Sequence, residues 1–113
     1  MDQGTKDRLA KNEALFRDVN ERVREIDERQ AVATGTDALW DFLCECGHAD
    51  CTQAMSLTLE EYERTRSSPV HFAVIPGHEL PEVERILERT DRFFLVEKLA
   101  EEQPIARVTD PRS

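Results

Sequence analysis

Between Lys6 and Val32 the apolar positions Leu9, Phe16, Val19, Val23 and Ile26 recur at spacings of seven, three, four and three. That rhythm keeps them on one side of a helix, so residues 6–32 are predicted to form one long amphipathic helix. Oppositely charged pairs four apart, Asp18 with Arg22 and Glu25 with Arg29, support it. The same spacing matches a short coiled-coil seam in which Asn12 takes one position. The stripe is expected to cover the domain's own sheet, with self-association through that face as the alternative. The charged row Arg17, Glu21, Arg24 and Glu28 reads as a solvated surface. Residues 33–37, with Gly35 among them, break the helix.

Beyond Trp40 the period shortens. Residues 40–46 read as a strand, at least from Phe42, because Phe42, Cys44 and Cys46 then share one face. Gly47 to Asp50 is turn-like, and Cys51 to Leu57 would return as the second strand of a hairpin. Thr58 with Glu61 has the spacing of a capping box and opens a helix over residues 59–66. Val70 to Ile75 is an apolar strand stopped by Pro76-Gly77. Pro81 suits the first turn of another helix, with Val83, Ile86 and Leu87 as its buried stripe. A last strand runs from Phe93 to Val96 or on to Leu99. The predicted fold class is therefore α+β: a long N-terminal amphipathic helix, a small mainly antiparallel sheet with two short helices, and a zinc-knuckle-like hairpin. Residues 1–11 are expected to be a flexible lead, residues 12–99 a single domain holding the metal site, and residues 100–113 a loose tail.

Composition narrows what such a fold can do. At 113 residues the chain suits one small domain, and Leu, Val, Ile and Phe make up only about a quarter of it, so the core will be thin. There are 24 acidic and 15 basic residues, a formal net charge of −9 with no basic stretch, which argues against binding phosphate backbones. No apolar run approaches the roughly 20 residues that span a bilayer. Residues 1–10 lack the apolar core of an export signal, so a cytoplasmic location is expected, with no nucleic-acid or membrane partner.

Chemistry concentrates in one place. All three cysteines fall in Cys44-Glu-Cys46-Gly-His-Ala-Asp-Cys51. An odd number of thiols and an expected reducing compartment speak against a disulfide framework. A structural zinc ion explains the cluster better, since thiolates are its preferred soft ligands and a closed tetrahedron wants four. Cys44 and Cys46 project from one strand face while Cys51 approaches from the next strand. The one-residue gap between the first two is tighter than the usual zinc-knuckle spacing. Three buried apolar cysteines, a redox-active thiol pair, and an iron–sulfur or copper(I) site are the competing readings.

The fourth ligand is open at this level. His48 lies inside the turn and would have to fold back sharply. His71 sits early in an apolar strand, where a half-buried, hydrogen-bonded imidazole is ordinary. His78 follows Pro76-Gly77. If residues 51–57 and 70–75 pair antiparallel, His78 comes toward Cys51; a parallel pairing sends them to opposite ends, and the connecting segment 58–69 allows either. Asp50 and water complete the alternatives.

Asn12-Glu-Ala-Leu-Phe-Arg-Asp-Val-Asn20, Phe42-Leu-Cys-Glu-Cys46 with Cys51, Leu57-Thr-Leu-Glu-Glu-Tyr62, and Pro76-Gly-His-Glu79 followed by Pro81-Glu-Val-Glu-Arg85 together span about residues 12–99. In these segments the chain resembles a family of small uncharacterised actinobacterial proteins. The resemblance implies that Cys44, Cys46, Cys51 and His78 belong to a shared pattern, with His48 and His71 peculiar to this sequence. It implies no activity. The leading functional expectation is a zinc-stabilised module that binds an unknown protein partner, a second copy through the N-terminal helix being one choice. A thiol/zinc redox or metal sensor is the second. A small zinc enzyme with Glu79 as base is the third and least favoured, because three thiolates weaken zinc as a Lewis acid and no nucleophile elbow or phosphate-cradling glycine loop is present.

Overall fold

The computed structural model describes residues 1–34 and 38–112, with the backbone alone for residues 31–34; residues 35–37 of the expected break lie outside the described residues. The elements are α1 (Gln3–Thr34), β1 (Trp40–Leu43), β2 (Ala54–Leu57), α2 (Leu59–Arg66), β3 (His71–Val74), β4 (Glu84–Arg89), β5 (Phe94–Lys98), a 3-10 turn (Ala100–Glu102) and α3 (Gln103–Val108). The chain is thus α+β. β1 and β2 pair antiparallel from Trp40 opposite Leu57 to Leu43 opposite Ala54. A second antiparallel sheet has the order β3-β5-β4. The longest dimension, 47 Å, is close to the length of α1 itself, about 1.5 Å for each residue.

α2 starts where the capping box predicts. The Thr58 hydroxyl accepts from the Glu61 N–H at 3.1 Å, and the Glu61 carboxylate accepts from the Thr58 N–H at 2.8 Å. The same carboxylate receives two bonds from Arg92, at 2.9 and 2.7 Å, which ties α2 to the turn between β4 and β5. The core lies in two groups. Phe42, Met55, Leu57, Tyr62, Phe93 and Leu95 form one, with Phe42 and Tyr62 stacked at 4.4 Å. Cys44, Cys46, Val70, Phe72, Val74 and Val96 form the other.

The structure corrects several expectations. Residues 51–57 do not pair with 70–75: β2 is taken by β1 and β3 by β5, because α2 occupies the intervening chain and carries β3 to the other sheet. Pro81 does open a turn, in which the Leu80 carbonyl accepts from the N–H groups of Val83 and Glu84, but no helix follows. Glu84–Arg89 pairs with β5 instead, and the ladder slips between Ile86 and Glu88, so that Leu87 is exposed. The second short helix is α3. The chain ends are structured too. The Asp2 carboxylate accepts from the Thr5 N–H at 2.8 Å and starts α1 at Gln3, ahead of the predicted Lys6, so that most of the expected flexible lead 1–11 is helical. Residues 100–108 are helical with Ala106 buried, and Arg112 bonds both Glu21 and Glu63 at 2.9 Å. Docking by a small residue and by charges leaves no apolar signal in the sequence.

The largest departure concerns which side of α1 is covered. Its buried row is Leu9, Glu13, Arg17, Asn20, Glu21 and Asp27, whereas Leu15, Val19 and Ile26 are exposed and Phe16 and Val23 half-buried. Arg17, read from sequence as solvated, is fully buried: it donates to the carbonyls of Pro69 at 2.6 Å and Ala106 at 2.8 Å and lies 4.6 Å over the Phe72 ring. Glu13 meets Lys98, which also donates to Glu84 at 2.7 Å. Burial pushes the Glu13 carboxyl up to about 7, with Lys98 opposing. The helix therefore rests largely on polar groups, hydrogen-bonded apart from Arg17 Nε and Asp27 Oδ2, and its apolar arc is turned partly away from the domain.

Candidate metal centre

Cys44 and Cys46 lie just past the end of β1, where the chain leaves one sheet and crosses to the other. The Cys44 N–H still reaches the Gln53 carbonyl at 3.0 Å, extending the β1–β2 ladder by a residue. The next N–H, that of Glu45, goes instead to the Ala73 carbonyl of β3 at 2.9 Å. That switch brings the end of β3 beside the cysteines. At Pro76-Gly77 the chain reverses in a turn closed by the His78 N–H on the Ile75 carbonyl at 2.9 Å, with Gly77 at φ 94°. Proline second and a left-handed glycine third is the pattern of a type II turn. It delivers His78 to the cluster. Cys51 arrives through a second turn, its N–H on the His48 carbonyl at 3.0 Å.

The result is a Cys3His set. One ligand atom each from Cys44, Cys46, Cys51 and His78 lie within 4.8 Å of one another, close enough to hold a metal ion. His78 Nδ1 is 3.5 Å from Cys44 Sγ and 3.7 Å from Cys51 Sγ. Cys44 and Cys46 are buried, Cys51 and His78 half-buried. The Ile75 N–H donates to Cys44 Sγ at 3.2 Å, a bond that favours a thiolate there. The three thiols are electrostatically unlike. Hydrogen bonding from Cys44 holds Cys46 down to about 4, with the His48 backbone, His78 and Cys51 adding to it against burial. Its proton-donating partner Cys44 is pushed up by that same bond and by burial, and burial raises Cys51.

Of the four competing ligands, the structure brings only His78 into the set. His48 stands beside it, lining an open depression of about 290 Å³ with Asp50, Cys51, Gln53 and His78. His71 pairs with Glu97 at 3.2 Å, as an ordinary half-buried imidazole does. Glu79 accepts from the Gly77 N–H at 2.8 Å and is used in closing its own turn.

Sequence reasoning missed the groups that hold this segment from behind. Glu45, the residue between two ligands, is fully buried and accepts from Ala73 N–H at 3.0 Å, Asn20 Nδ2 at 2.9 Å and Tyr62 Oη at 3.1 Å. Asn20 grips Leu43 on both sides, donating to its carbonyl at 2.9 Å and accepting from its N–H at 2.8 Å. Asn12 donates to the Gly47 carbonyl at 2.8 Å. The available signal was strand alternation: thiols on one face put Glu45 on the other. Searches against family models, curated proteins and solved structures find no match to this chain.

Proposed function

We propose that Cys44, Cys46, Cys51 and His78 bind one zinc ion that holds the fold together, and that the domain serves as a protein-interaction module. The observation that carries the metal reading is the edge length of the cluster. A tetrahedral ion with bonds of about 2.3 Å to sulfur and about 2.0 Å to nitrogen requires sulfur-to-nitrogen edges of about 3.5 Å. The two measured edges are 3.5 and 3.7 Å. Four protein ligands drawn from three separate stretches of chain close the coordination sphere, as a structural ion prefers. Its binding would add folding free energy where the apolar core is small. On this reading the chain's likeness to the actinobacterial family extends to its ligand set.

The interaction role rests on α1, whose exposed Leu15, Val19 and Ile26 lie on one side of the helix. A second copy of the chain is the occupant proposed for that side. The open depression over Cys51 and His78 favours one further reading, a redox sensor. There a peroxide would take two electrons from Cys51 and a neighbouring thiol, leaving a disulfide and water and releasing the ion.

Native mass spectrometry of untagged protein should show one zinc per chain. Cys44→Ser and His78→Ala should each lower both zinc content and thermal midpoint, while His48→Ala should change neither. Folded protein that takes up no zinc would end the metal reading, and loss of zinc in His48→Ala alone would end the ligand assignment. Reversible zinc release by mild peroxide would favour the sensor.

A further inference from the structure

The buried side of α1 faces the back of the ligand segment, and its contacts there are specific. Asn20 satisfies both backbone groups of Leu43, immediately before Cys44, and reaches the Glu45 carboxylate between the two cysteines. Asn12 holds the carbonyl of Gly47, immediately after Cys46. Each asparagine thus meets one end of the segment. At the Asn12 end, Gly47 presses against α1 so closely that a Cβ there would lie 2.8 Å from the Leu9 carbonyl oxygen.

From this we propose that Asn12 and Asn20 are positioning residues of the metal centre, with α1 acting as a splint that fixes the Cys44 and Cys46 thiols at ligating distance. Neither asparagine is within the ligand set; both act through the backbone of residues 43–47. The inference rests on the zinc reading above. A segment held at both ends loses little conformational freedom when the ion binds, which raises affinity. Linkage makes the effect reciprocal: whatever free energy docking of α1 contributes to zinc binding, zinc returns to docking of α1. The helix interface is polar, so it depends on these bonds more than an apolar interface would.

The test measures zinc affinity by competition with a chromophoric chelator, together with the thiolate-to-metal absorption bands of the cobalt(II) form. Asn20→Ala should weaken zinc about 10- to 100-fold and alter the cobalt spectrum, as loss of an outer partner does at other metal sites. Asn12→Ala should act in the same direction, less strongly. Glu61→Ala, which removes bonds to Thr58 and Arg92 and none to the ligand segment, serves as the control for general destabilisation. Affinity that falls equally in Glu61→Ala, or that stays within about twofold in both asparagine variants, overturns the proposal. Should Asn20→Ala not fold, Asn12→Ala and hydrogen exchange of the wild-type protein decide it. Chelation should then raise exchange in α1 before the β3-β5-β4 sheet, and uniform loss of protection would count against the splint. Wild-type protein that binds no zinc would fail the metal reading instead, a distinguishable result.

Discussion

Gly47 shows how much a single residue can carry at this site. It stands at φ 81°, a backbone conformation that side-chain-bearing residues rarely adopt. An added Cβ would fall 2.7 Å from Glu13 Cγ and 2.8 Å from the Leu9 carbonyl oxygen. The Glu13 chain can shift, but the carbonyl belongs to α1 and moves only with the helix. Gly47→Ala is therefore expected to cost about 2–3 kcal/mol, combining left-handed strain with the clash. Denaturant unfolding of the zinc-loaded protein would measure it, and a loss below about 0.5 kcal/mol would mean that α1 does not rest on this segment. Gly77, also at positive φ, has no atom within 4 Å of such a Cβ, so Gly77→Ala should suffer only the strain.

Among the elements, α2 is the one most fully determined by its own few residues. Its cap carboxylate, Glu61, answers both to the Thr58 backbone and to Arg92 across the domain. Arg92 foremost, with Thr58, holds that carboxyl below its ordinary value of 4.5. A depressed carboxylate contributes stability in full above its unfolded value and loses it as pH falls through the folded one. Glu61→Ala should accordingly lower stability by about 2 kcal/mol near neutrality, the range for losing hydrogen bonds to a charged group. The gap between variant and wild type should narrow below about pH 4.5. Urea melts at neutral and acid pH would check this; a gap that widened in acid would contradict the assignment. The same contrast explains what was legible in the sequence. The capping box and the turn at Pro76-Gly77 are local patterns and appear where their residues predict them, whereas the strand through Phe42 stops at Leu43 rather than Cys46 and its partner begins at Ala54 rather than Cys51. β4 was misread because Val83, Ile86 and Leu87 also fit a helical stripe, and only pairing with β5 decides between them. The ligand set was legible as residue types, while the route that unites them was not. His78 arrives through the step of Glu45 from β2 to β3, not through pairing of β2 with β3.

For the molecule as a whole, the long helix poses a problem of allocation. Arg17, Asn20 and Glu13 point inward because Lys98, Glu45 and several backbone carbonyls need partners there, and a buried group without a partner costs more than an exposed valine. The apolar arc is displaced as a result. Val19 and Ile26 are 36 % and 55 % exposed, and Leu15 is 57 % exposed, at spacings of four and seven along one side. Apolar residues scattered singly on a surface need no explanation, but a row at helical spacing fits the seam of a second helix. A chain of net charge −9 also repels its copies, and salt relieves that repulsion while leaving apolar contact in place. Sedimentation over a range of concentrations should then show a dimer that strengthens from about 0.05 to 0.5 M salt, a range across which the screening length falls below about 10 Å. Ile26→Lys and Val19→Lys should abolish it, each without lowering the thermal midpoint of the monomer, because neither side chain is in the core. A monomer at every concentration and salt would reject the second copy as occupant of this face. A dimer that survives both substitutions would move the contact elsewhere on the surface.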